Sequence, residues 1–266
     1  MSQKPNEKLK ELRRRMIYLL PRNDFIFRVC RRYVNYYNGF FDYDMHTNGE
    51  LRALKAYLLK IESPVVFDVG ANIGDWSSVV LQINPRAQIH CFEPGSYAFK
   101  ILQDRKFPPQ VVCNNFGLSS QASIGQLAVY GSEESYLNSL YGDREYGRKP
   151  KKYEEIRLST ISDYCKEHRL EMVDFMKIDV EGHEFNVLRG ASDMLARQGI
   201  CALQFEYNDS YVAAKVYLRD IFEFMGAFSY DAFRILPNML LPIKKYSNDM
   251  ETYEYSNYLF VLRRQS

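Results

Sequence analysis

Val65-Val66-Phe67-Asp68-Val69 runs directly into Gly70-Ala71-Asn72-Ile73-Gly74 and then into a segment from Asp75-Trp76 to Ile83. The first five residues are apolar except for Asp68 and read as a strand covered on both faces, and the spacing beyond the turn predicts a helix over Trp76–Ile83. Strand, glycine turn and helix start, in that order, bring backbone N–H groups and a positive helix end to the carboxyl edge of a sheet. Open α/β folds bind ligands there. The dinucleotide fingerprint Gly-x-Gly-x-x-Gly is missing, because Val69 and Ala71 flank Gly70.

Downstream the same rhythm repeats. Short β-rich runs at Gln88–Phe92, Val111–Phe116, Val173–Asp179 and Ile200–Glu206 alternate with helix-length segments at Tyr97–Asp104, Glu184–Arg197 and Val212–Met225. That alternation predicts βαβ units and a mostly parallel sheet. Gln126–Tyr130 reads as an extra strand, and Phe228–Phe233 with Tyr258–Leu262 as a late pair closing the sheet. Asn48-Gly49-Glu50 reads as a turn feeding a helix over Leu51–Leu59.

The second strand ends in Cys91-Phe92-Glu93-Pro94, about twenty residues beyond the glycine turn. A carboxylate there is placed to accept the ribose hydroxyls of an adenosine-type ligand, so Glu93 joins Asp68, Gly70, Asn72 and Gly74 as a candidate binding residue. A capping role for Glu93 at the next helix is the structural alternative. Asn115, Gly117, Leu118 and Ser119 follow the third strand, where an adenine edge would be read. Lys177-Ile178-Asp179-Val180-Glu181-Gly182-His183-Glu184 puts further ionisable groups at the end of the fourth strand, facing the same cleft. Lys177 and Asp179 share a strand face. Asp179, Glu181 and His183 are the candidate proton acceptors, His183 having the best-matched ordinary pKa and a purely orienting role as its alternative. Glu184 is assigned to helix structure. Glu206 and Asn208, closing the fifth strand, are candidate acceptor-binding groups. With Asp179 they offer oxygen ligands suited to a hard cation, and metal use stays open.

The turn Phe67 to Gly74, Phe92-Glu93-Pro94, Lys177 to Glu184 and Val187-Leu188-Arg189-Gly190-Ala191 together resemble the FkbM family of methyltransferases over roughly Asn48 to Glu206. The resemblance implies a Rossmann-like class I methyltransferase fold, a mostly parallel central sheet flanked by helices, to which the residues before it add a short helical N-terminal extension. It also implies S-adenosyl-L-methionine as cofactor and O-methylation of a sugar, glycoconjugate or polyketide hydroxyl. Asp68 and Asp179 are then expected near the cofactor, Asp68 serving its methionine ammonium group. A non-catalytic methyltransferase-like binding scaffold is the alternative function.

Two stretches lie outside the shared pattern. Gly131 to Glu155 is polar and rich in tyrosine, including Tyr136 and Tyr141, and reads as a substrate lid or an oligomer contact. The first 47 residues form a basic extension before a domain expected over 48–266, with Arg13, Arg14, Arg15, Arg28, Arg31 and Arg32 interleaved with apolar residues. They predict two amphipathic helices broken at Pro21, presenting either a solvated face or a docking face for an anionic membrane. A net charge of +2 gives no general basic excess, so no nucleic-acid partner is expected. Five widely spaced cysteines with no Cys-x-x-Cys pair read as reduced core thiols, and no apolar run long enough for a signal sequence or span precedes Pro21. Both point to a cytoplasmic protein, with peripheral attachment to the inner face of the membrane as the variant.

Overall fold

The computed structural model describes residues 5–19, 22–40, 42–131, 137–142 and 149–263. The chain divides into two compact units, Met1–Phe40 and Phe41–Ser266. The first holds α1 (Pro5–Leu19) and α2 (Asp24–Asn38). Asn23 caps α2, its Oδ1 accepting the N–H groups of Phe25 and Ile26 at 3.0 Å each.

The second unit runs α3 (Glu50–Leu58), β1 (Val65–Val69), α4 (Asp75–Ile83), β2 (Gln88–Phe92), α5 (Ser96–Asp104), β3 (Val111–Asn114), β4 (Gly117–Leu118), β5 (Ser123–Val129), β6 (Lys152–Ser159) and α6 (Ile161–Glu167). It continues through β7 (Phe175–Ile178), α7 (Glu184–Arg189), α8 (Ser192–Ala196), β8 (Ala202–Tyr207), α9 (Ser210–Ala214), α10 (Leu218–Met225), β9 (Tyr230–Leu236), β10 (Met239–Ile243) and β11 (Ser256–Leu262). Eight strands form one sheet in the order β10-β9-β11-β8-β7-β1-β2-β3. The strands from β8 to β3 are parallel, and β11 enters antiparallel between β8 and β9. Strand order reverses beside β1, where β2 lies on one side and β7 on the other, so the crevice expected of an open α/β sheet opens at the carboxyl end of β1.

The sheet strands are apolar runs because both faces are covered. Phe67, Met176, Ile178, Leu203 and Phe205 enter one buried cluster, while Val66, Ile89, Cys91 and Phe175 enter another.

Four expectations are corrected. The segment Glu184–Arg197 is two short helices, because Gly190 passes so close to another loop that a Cβ there would stand 2.0 Å from the Ser119 carbonyl oxygen. The segment Val212–Met225 is also split: Lys215 ends α9 in the left-handed conformation, and Asp220 restarts the helix by accepting the Tyr217 N–H at 2.9 Å. The third concerns the polar stretch 131–155. Its last residues belong to β6, which pairs antiparallel with β5 and parallel with β4 in a second, three-stranded sheet. Among the cysteines, Cys30 is exposed on α2 and Cys113 half-buried, so only Cys91, Cys165 and Cys201 are core thiols.

Candidate active site

A cleft of ≈ 930 Å³, its open mouth included, lies over the carboxyl ends of β1, β2 and β7. Its floor is the glycine turn. Gly70 and Ala71 both donate N–H groups to the Phe92 carbonyl at 3.0 Å, which folds the turn back over β2. Gly70 has φ +83°, and a Cβ on it would stand 1.8 Å from the Asp179 carbonyl oxygen. No side chain fits where the ends of β1 and β7 converge. Gly74 sits behind the cleft and starts α4.

Asp68 is fully buried below the turn. Its Oδ2 accepts the Ser77 hydroxyl at 2.6 Å, whereas Oδ1 is buried without a hydrogen-bond partner. Burial raises the Asp68 carboxyl above its ordinary range, against the pull of Lys177 and Ser77. Glu93 lines the cleft at the end of β2, where Oε2 accepts the Asn72 N–H at 2.9 Å and Oε1 the Gly95 N–H at 2.7 Å. Burial lifts its pKa to about 7, partly opposed by those two N–H donors. Glu93 therefore ties two backbone segments together without capping α5, and each carboxylate oxygen still has acceptor capacity toward the cleft.

The opposite wall carries the charged cluster. Lys177 Nζ donates to Asp179 Oδ2 at 2.7 Å. Burial disfavours the Lys177 charge, but Asp179, Asp68 and Glu50 outweigh it and raise its pKa. Asp179, Glu181 and Glu206 all line the cleft. Burial first, then the charges of Asp179 and Glu181, push the Glu206 carboxyl well above its ordinary range. Asn208 stands behind, its Nδ2 donating to Glu206 Oε1 at 2.6 Å and to Glu181 Oε2 at 3.3 Å. Among the described residues no group of three or more His, Cys, Asp or Glu side chains is arranged to hold a metal ion.

His183 is buried with both ring nitrogens engaged: Nε2 is 2.9 Å from Ser119 Oγ, and Nδ1 is 3.0 Å from the Tyr141 hydroxyl. Burial lowers its pKa to about 4. His183 lines the cleft with Ser119 outside its lining, and Asn115 is turned away, its Nδ2 donating to the carbonyls of Glu93 at 3.0 Å and Pro94 at 3.2 Å. Gly117 and Leu118 line the cleft. Glu184 caps the loop before α7, accepting the Val180 and Gly182 N–H groups at 2.9 and 3.0 Å.

Sequence reasoning placed no residue between 137 and 140 in the site, yet Asn138, Ser139 and Leu140 line it, and Ser139 Oγ donates to the Glu181 carbonyl at 2.8 Å. Their one signal was position within the polar stretch. Tyr136 lies outside the described residues.

A sheet of this strand order, with β11 inserted antiparallel beside the parallel strands and a cleft between a glycine turn and two acidic strand ends, defines a class I methyltransferase fold. The methyltransferase FkbM domain family matches residues 68–232, and the chain belongs to that family. It is 25% identical over 192 residues to the 2-O-methyltransferase NoeI of Sinorhizobium fredii, covering 64% of this chain and 74% of that protein. It is 27% identical over 155 residues to the 31-O-demethyl-FK506 methyltransferase FkbM of Streptomyces tacrolimicus, covering 48% and 60%. The hexuronic acid methyltransferase AglP of Haloferax volcanii is 28% identical over 138 residues, covering 50% and 52%. The chain thus spans between about half and three quarters of these relatives.

Proposed function

We propose that the chain moves a methyl group from S-adenosylmethionine to a hydroxyl oxygen of a carbohydrate acceptor. The observation that carries the reading is one cleft with Glu93 beside the glycine turn on one wall and Asp179, Glu181 and Glu206 on the other. The donor side fits an adenosine-type sulfonium. Glu93 can accept ribose hydroxyls, and the unpartnered Asp68 Oδ1 under the turn offers a buried acceptor on the cationic end. When bound, that cofactor supplies an electrophilic methyl group on sulfur.

The acceptor side supplies position and a proton sink. In-line displacement depends chiefly on holding the nucleophilic oxygen against the methyl carbon. With that group bound, the acceptor hydroxyl would need to give its proton to a carboxylate of this wall. Asp179 is assigned that role, with Lys177 fixing its orientation through their 2.7 Å contact. Glu206, its carboxyl raised by burial and neighbouring charge, lines the same wall and is held by Asn208 through its Oε1, where it can hydrogen-bond an acceptor hydroxyl. His183, kept neutral and hydrogen-bonded at both nitrogens, positions Tyr141 and Ser119. A carbohydrate acceptor is supported by this density of carboxyl and amide groups, which match vicinal hydroxyls. It also agrees with relatives named as a 2-O-methyltransferase and a hexuronic acid methyltransferase.

Calorimetry with S-adenosylhomocysteine tests the donor half, and S-adenosylhomocysteine release from a panel of saccharides, uronic acids and polyketide alcohols tests the acceptor half. Absence of binding removes the first, and turnover confined to non-carbohydrate alcohols removes the second.

A further inference from the structure

Of forty residues in the first unit, ten are basic and three acidic, while the remaining residues hold twenty-five basic against thirty acidic. Within α2 the sequence Asp24 to Asn38 separates completely by face. At 100° per residue, Phe25, Ile26, Phe27, Val29, Cys30, Tyr33, Val34, Tyr36 and Tyr37 fill one uninterrupted arc of about 200°. The remaining arc holds Asp24, Arg28, Arg31, Arg32, Asn35 and Asn38. Arg32 stands at one border of the apolar arc and Asn38 at the other, with Arg31 just beyond Asn38, its guanidinium 5.5 Å from the Phe27 ring centroid. None of the helix is buried: Phe27 is 61% exposed, Tyr33 66%, Tyr36 84% and Tyr37 72%. In α1, Leu9, Leu12 and Met16 make a narrower exposed stripe beside Lys8, Lys10, Arg13, Arg14 and Arg15.

We infer that α2, supported by the cations of α1, is a docking surface for an anionic lipid bilayer, lying in the plane of the headgroups. An open apolar face of this width calls for a partner. Fifteen residues rise only about 22 Å, short of the roughly 30 Å hydrocarbon layer, and no helix among the described residues is long and apolar enough to span one. The apolar arc with its aromatic residues suits the boundary between acyl chains and headgroups, where Arg32 on one side and Arg31 on the other reach up to anionic phosphates. Charge decides between a membrane and a second copy of this chain. Two copies meeting face to face would bring their Arg31 and Arg32 sides together, whereas an anionic surface neutralises both.

The test uses the full chain in flotation with phosphatidylcholine vesicles, with and without 30% phosphatidylglycerol. Binding is expected to the anionic vesicles and to fall as salt rises. Each basic residue near such a surface adds about fivefold, so Arg28→Gln, Arg31→Gln and Arg32→Gln together lower partitioning roughly 100-fold. Phe27→Ser with Tyr33→Ser abolishes it, and donor binding by calorimetry stays unchanged because α2 contributes nothing buried. Cys30, exposed within the apolar arc, takes a polarity-sensitive thiol dye whose emission shifts to the blue on anionic vesicles, with Cys30→Ser as the labelling control. Equal binding to neutral vesicles, binding untouched by the arginine changes, or self-association that shields Cys30 without lipid would each overturn the inference.

Discussion

Lys177 Nζ donates to Asp179 Oδ2 at 2.7 Å, from a strand position whose side chain is largely shielded from solvent. Removing the cation leaves the charge of Asp179 without its nearest partner, beside Asp68 and Glu206. Lys177→Met is therefore expected to cost about 1–3 kcal/mol of stability, less than a fully buried pair because the Asp179 side chain is 28% exposed. It should also lower kcat more than donor affinity. Urea denaturation with parallel calorimetry checks both, and a fully stable variant would show that the pair is not what holds this wall.

Gly70→Ala should be as damaging for a different reason. The backbone there is left-handed, and the added methyl group would meet the Asp179 carbonyl oxygen. Strain and displacement together are expected to cost about 2–5 kcal/mol and to weaken donor binding. Thermal melting and S-adenosylhomocysteine titration measure the two effects, and unchanged values for both would sink the close-approach argument.

Glu93→Ala removes the proposed ribose acceptors and the tie between Asn72 and Gly95. Two hydrogen bonds to a charged acceptor amount to about 3–6 kcal/mol, so a loss of affinity of at least 100-fold is expected. Glu93→Gln should lose less. Its affinity should also no longer depend on pH around 7, the region to which burial moves this carboxyl. If the pH dependence survived in Glu93→Gln, it would belong to another group.

How much of this was readable beforehand follows from which interactions are local. The turn after β1 and the acids at the ends of β2 and β7 were legible because a strand, a glycine and a carboxylate keep their spacing whatever the rest of the chain does. Gly190 was legible as a residue but not as a helix break, since its partner, the Ser119 carbonyl, lies far off in sequence. The same holds for His183, whose bonds to Ser119 and Tyr141 come from two separate loops. The hairpin from β9 to β10 was missed because Met239–Ile243, with Pro242 in its middle, weakens the strand pattern on a sheet edge.

Buried acids also set the pH dependence of stability. Glu93 and Glu184 have their pKa raised from 4.5 to about 7 and about 8, so they hold protons in the folded state that the unfolded chain has released. Their stabilising contribution is complete below about 4.5 and is lost as pH rises through 7 and 8. His90 and His183, lowered from 6.5 to about 4, act in the opposite sense, and their contribution is lost as pH falls from 6.5 toward 4. The two effects oppose each other below 6.5, leaving the carboxyls alone above it. The melting temperature is expected to fall between pH 6.5 and 8 by a few kcal/mol of equivalent stability, and a rise across that interval would contradict the assignment.

The proton acceptor can be decided by comparing two substitutions. Asp179→Asn keeps the shape of the side chain and an oxygen toward Lys177 but removes the basic carboxylate, so kcat should drop about 10²–10⁴-fold while the donor dissociation constant changes little. His183→Asn removes a neutral ring already engaged by Ser119 and Tyr141. Its effect should fall mainly on KM, through the loop carrying Tyr141, and wild-type kcat should show no histidine-like step between pH 6 and 7. A kcat collapse in His183→Asn alongside a near-normal Asp179→Asn would exchange the two roles.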